Sequence, residues 1–181
     1  MHFGIAIIAG FLGIAPVEAS TFANDCPEPT RLMVHRLSGD WSTSVSTDEG
    51  WQGEGTSTFE VDPSRGCALV ERGVFALDTG DGNIIKSKSL AVYAWDDLSS
   101  VWKLMSTDSR GYTHVGLGVE AGDRNWAFEI QKAAGQIADR RVLFRPREDA
   151  PGFQWVWQGR DGGDAEWHDR FVSVYSRVEK D

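Results

Sequence analysis

The chain has 181 residues, 41% of them apolar and 25% charged, with 20 Gly and 6 Pro, a composition that excludes disorder, collagen and coiled coil and fits one compact domain. Asp plus Glu outnumber Lys plus Arg by 27 to 18, a formal charge of −9, which argues against a nucleic-acid partner because cations hold a phosphate backbone. Eight Trp, nine Phe and three Tyr must pack either as core or as the wall of a ligand pocket.

Residues 1–19 combine an apolar run from Phe3 to Ala15, a breaker at Pro16, and Val17 and Ala19 ahead of a small-residue cleavage point. This pattern predicts a secretory signal peptide, export to the periplasm or beyond it, and a mature domain over residues 20–181. The apolar run is shorter than the roughly 20 residues of a membrane-crossing helix. No later stretch is long and apolar enough, so no membrane span is expected. Cys26 and Cys67 are the two cysteines, and behind an export signal an even count is read as a disulfide. Neither lies at metal-ligand spacing, and no metal site is expected.

PEPTRLMVHRLSG, residues 27–39, carries a rough 3.6-residue apolar period that stops at Gly39, predicting one short helix. From Trp41 onward the period becomes 2, broken by DEG, DPSRG, DTGDGN, TDSRG, EAGDRN, EDAPG and GRDGGDAE. These are turn chemistries. Strands are predicted near 41–47, 51–62, 67–77, 84–96, 100–107, 111–120, 124–132, 140–146, 152–159 and 167–178. In the clearest of them Trp51, Gly53, Gly55, Ser57, Phe59 and Val61 share one face and polar residues the other. Ten short strands of this spacing predict an all-β protein, an antiparallel up-and-down barrel with a short N-terminal helix, because a sheet that long closes or splits. Such a barrel has room for one small ligand.

The run FQWVWQGRDGGDAEWHDRFVSVYSR, residues 153–177, resembles the ending of uncharacterised bacterial lipocalin-like (calycin-type) domains: an aromatic strand, a DGG turn, a Trp and a final Y-x-R strand. LSGDW at 37–41 is similar to the G-x-W opening of lipocalins, which follows a short helix, and GWQGEG echoes that family's first hairpin. The resemblance implies a barrel that binds a small apolar or aromatic molecule. Haem-binding ten-stranded barrels resemble this chain in their early glycine-rich strand, but after Gly39 and Trp41 the sequence reads STSVS, so their G-x-W-x-G-x-G signature is missing and no cofactor is expected.

No serine elbow, P-loop, HExxH or dinucleotide fingerprint occurs. Any chemistry must therefore be built inside the barrel. In GYTHVGLGVE, Tyr112, His114, Gly116, Gly118 and Glu120 share a face opposite Thr113, Val115, Leu117 and Val119. His114 stands either in the lumen, where an imidazole can move protons near neutral pH, or on the solvent face opposite a Val/Leu core row. Glu71 and Arg145 each interrupt an apolar strand, and a charge on an inner face needs a partner or a polar ligand. Trp155 and Trp157 share a face with Phe153. Trp167, Asp169, Phe171, Ser173, Tyr175 and Arg177 form another row. Trp155, Trp157, Tyr175 and Tyr93 are the candidate ligand wall.

Two functions follow as expectations. The first is an exported barrel that binds a small apolar or aromatic molecule. The second is a cofactor-independent lyase, isomerase or cyclase using the same cavity, with His114, Tyr112 and Glu71 as acid–base groups and Arg145 as an anion holder. A third possibility is a barrel filled by its own side chains. The acidic turns at 78–81 and 161–164 lack EF-hand spacing and are read as solvated loops.

Overall fold

The computed structural model describes residues 27–62, 67–120, 126–132, 138–147 and 151–179. The expected signal peptide and Cys26 lie outside the described residues. One helix, α1 (Glu28–Leu37), precedes ten strands: β1 (Gly39–Thr47), β2 (Gln52–Val61), β3 (Ala68–Asp78), β4 (Ile84–Asp96), β5 (Val101–Asp108), β6 (Thr113–Glu120), β7 (Trp126–Ile130), β8 (Arg140–Pro146), β9 (Gly152–Gly159) and β10 (His168–Arg177). All neighbours pair antiparallel, and β10 returns to β1, closing the barrel.

α1 forms where a proline in the first turn fixes φ, Glu28 faces the positive helix end and His35 and Arg36 the negative one. It buries Met33, Val34 and Leu37 against one end of the barrel. Arg177 secures that end. Its guanidinium donates to the carbonyls of Arg36 at 2.9 Å and Ser38 at 3.1 Å and lies 4.4 Å over the Trp41 ring.

Inward and outward side chains alternate as the sequence predicts. Beneath the helix the lumen is solid: Trp41, Phe59, Leu69, Trp102, Leu104, Phe128, Phe144 and Phe153 form one buried cluster. Most of its rings meet edge-on or tilted, Trp41 on Phe153 at 5.0 Å and Tyr93 on Phe144 at 5.3 Å, while Phe153 stacks on Tyr175 at 4.4 Å.

The expected inner row of β10 is corrected at one point. A β-bulge separates Asp169, which pairs with Gln158, from Phe171, which pairs with Trp157. The extra residue breaks the alternation. Phe171, Ser173 and Tyr175 stay inside, while Asp169 turns outward to accept from Gln158 and Arg145.

Candidate functional site

Above the aromatic core the barrel is hollow. A cavity of about 300 Å³ opens at the end away from α1, lined by residues of β3, β4, β5, β6, β9 and β10. Its space comes from small inner residues: Ser87, Ser89 and Ala91 on β4 and Ser106 on β5 stand across from the indoles of Trp155 and Trp157 on β9. Phe75 fits on the β3 side because Gly73 has no side chain; a Cβ there would come within 2.8 Å of the Phe75 ring.

Glu71 is at the floor. It is 4% exposed and accepts three hydrogen bonds: to Oε1 from Ser57 Oγ at 3.1 Å and from Tyr175 OH at 2.8 Å, and to Oε2 from Tyr93 OH at 2.7 Å. No cation pairs with it among the described residues. Burial pushes its carboxyl above the ordinary range, and the Tyr93, Tyr175 and Ser57 hydroxyls partly oppose that rise. Burial and then the charge of Glu71 hold Tyr93 and Tyr175 well above the usual phenol value, so both remain neutral donors. Ser173, on the lining of the same cavity, is 1% exposed and its Oγ has no partner.

The wall is aromatic. Trp155 and Trp157 lie 6.0 Å apart between ring centres, Phe171 meets Trp155 edge-on at 6.0 Å, and the His114 ring packs 4.7 Å from Trp157. His114 faces inward with Gly116, on the row opposite Val115. Partial burial lowers its pKa, assisted by the charge of Arg140, which favours the neutral imidazole.

The mouth is built by the turn after β5. Asp108 accepts the backbone N–H groups of Arg110 at 2.9 Å and Tyr112 at 3.2 Å, and Gly111 supplies the left-handed φ of +88° that closes the turn. Arg110 donates through Nε and Nη2 to Asp108 Oδ2 at 2.9 and 2.7 Å. The guanidinium lies 5.2 Å over the Tyr112 ring.

The candidate residues therefore divide. His114, Tyr112, Glu71, Trp155, Trp157, Tyr93 and Tyr175 all line the one cavity: the tyrosines of β4 and β10 and Glu71 at its floor, the indoles and His114 on its wall, and Tyr112, 59% exposed, at its rim. Arg145 does not. With Val142 and Phe144 turned inward, alternation puts Arg145 outside, 3.5 Å from Asp169, so its reading as an anion holder in the lumen is corrected. Phe75, Phe171 and Ser173 belong to the lining but were not among the expected site residues. A period-2 row of small residues, Ser87, Ser89 and Ala91, is the sequence signal for the space they face.

No family model matches this chain, and no curated protein does. Among solved structures it is similar to EF1p2_mFAP2b bound to DFHBI, at 14% identity with a TM-score of 0.39, over 82% of this chain and 98% of that one.

Proposed function

We propose that this protein binds a small, mainly aromatic or apolar molecule in the hollow half of its barrel. The carrying observation is the 300 Å³ cavity itself, walled by Trp155, Trp157 and Phe171 and furnished with a few polar groups. That combination is what a small-molecule site requires: apolar area for affinity and sparse polar atoms for orientation. Titration with the neutral fluorophore N-phenyl-1-naphthylamine tests it. Saturable binding at one site, weakened at least about tenfold by Trp157→Ala, is the expected result; non-saturable binding, or binding indifferent to that change, overturns the reading.

A second reading has its own observation. Glu71 and His114 line one cavity, and their surroundings displace the carboxyl upward and the imidazole downward, an arrangement that acid–base chemistry uses. In this reading the site is that of a cofactor-independent lyase, isomerase or cyclase, and a turned-over compound that His114→Ala and Glu71→Gln each leave intact distinguishes it from simple binding. Export, and a Cys26–Cys67 disulfide in the exported protein, belong to the same proposal and rest on the signal-peptide pattern of residues 1–19.

A further inference from the structure

The carboxylate at the floor of the cavity has no counter-ion among the described residues. Glu71 is buried with three neutral donors around it, the cation at the mouth, Arg110, donates through Nε and Nη2 to one oxygen of Asp108, and His114 favours its neutral form. With Glu71 ionised, the cavity carries one uncompensated negative charge. Burying a charge alone is costly, and replacing Glu71 by an apolar residue would remove that cost and leave room. Two acceptors of the cavity lining have spare capacity. Oε2 accepts one bond where a carboxylate oxygen has capacity for two, and Ser173 Oγ, on the same inward row as Tyr175, has none.

Resting on the cavity-binding reading above, we propose that the ligand class is an aromatic amine in its protonated form: the ammonium group donates to Glu71 Oε2 and Ser173 Oγ, and the ring packs among Trp155, Trp157 and Phe171. Each part of that molecule answers something the cavity lacks. The ammonium supplies the missing positive charge and donors, and it also gains from the π faces of the surrounding rings. The aromatic body fills the space left by Ser87, Ser89 and Ala91. A carboxylate ligand would bring a second anion into the same low-dielectric floor.

Three compounds of near-equal shape test this: 2-naphthylmethylamine, 2-naphthalenemethanol and 2-naphthoate, which carry positive, zero and negative charge at pH 7. Calorimetric titration of the full protein is expected to rank them in that order, with the amine at least about tenfold tighter than the alcohol. Glu71→Gln should bring that ratio within about twofold, and Ser173→Ala, a milder change that keeps the test alive if the first variant misfolds, should weaken the amine severalfold and the alcohol little. Equal binding of amine and alcohol, or an unchanged ratio in a folded Glu71→Gln protein, overturns the charge assignment while leaving the cavity reading intact. Binding by none of the three removes the cavity reading and this inference with it.

Discussion

The Tyr175 phenol donates to Glu71 at 2.8 Å across the lumen, joining β10 to β3, strands that β1 and β2 separate in the sheet. With the Tyr93 bond from β4 it ties three parts of the barrel wall to one carboxylate. The floor of the cavity is thus a structural knot.

Tyr175→Phe should loosen that knot without altering shape. It removes a donor from a buried charged acceptor, so destabilisation of about 1.5–3 kcal/mol in chemical denaturation is expected, with the Glu71 carboxyl displaced further upward because one opposing hydrogen bond is gone. An unchanged denaturation midpoint would mean that the phenol is free to leave the carboxylate at no cost.

The titration of Glu71 has a predictable direction. Its carboxyl sits above the ordinary value in the folded protein, so the folded state holds this proton more tightly than the unfolded chain does. The stabilisation so obtained is full below the unfolded value and is lost as pH rises through the folded one. Relative to Glu71→Gln, the wild-type protein should therefore lose stability as pH rises above the ordinary carboxylate value. Melting curves of both proteins across that range check it, since the other carboxylates titrate equally in the two; a difference that grows in the opposite sense would contradict it.

His114 is half-buried and packs on Trp157, with no side-chain hydrogen bond among the described residues. His114→Ala is expected to change stability by less than about 1 kcal/mol while weakening ligand binding or removing turnover. Paired melting and binding measurements separate the two effects. A variant that binds normally would leave the imidazole outside the function.

Arg177 carries the attachment of α1 through two carbonyls and the Trp41 ring. Its replacement by Ala should cost about 1–3 kcal/mol, with the loss concentrated in faster amide exchange of residues 31–38. Uniform acceleration over all strands would instead place Arg177 in the global core.

Protein recovered from an exporting host without reductant should be lighter by the two hydrogens of Cys26 and Cys67. Intact-mass measurement decides it, and two alkylatable thiols would remove both the disulfide and the support it lends to export.

Strand positions were legible because period-2 alternation is a local signal: the expected 84–96, 140–146 and 152–159 coincide with β4, β8 and β9. β7 is shorter than the expected 124–132, ending at Ile130. The inward set on β6 and β9 was readable for the same reason, apart from the choice of face for His114, which depends on what the opposite row meets. Two things were not legible. The bulge between Asp169 and Phe171 is one residue of backbone slack with no sequence mark of its own, and the convergence of Ser57, Glu71, Tyr93 and Tyr175 depends on the register of four strands around a closed sheet. Arg145 illustrates the limit from the other side. A lone charge among apolar neighbours looks inward on sequence, but Leu143 beside it packs in an outer cluster with Ala127 and Val156.

Pairing of β1 with β10 brings together residues as distant as Ser42 and Ser176, 134 positions apart. Contacts of that span form late in folding, because loop entropy must be overcome before they return anything. Since β10 supplies Phe171, Ser173 and Tyr175, the cavity is complete only when the seam has shut. On the proposed function a bound molecule would act as a latch on the seam: it should slow unfolding in kinetic traces while leaving the refolding rate nearly untouched.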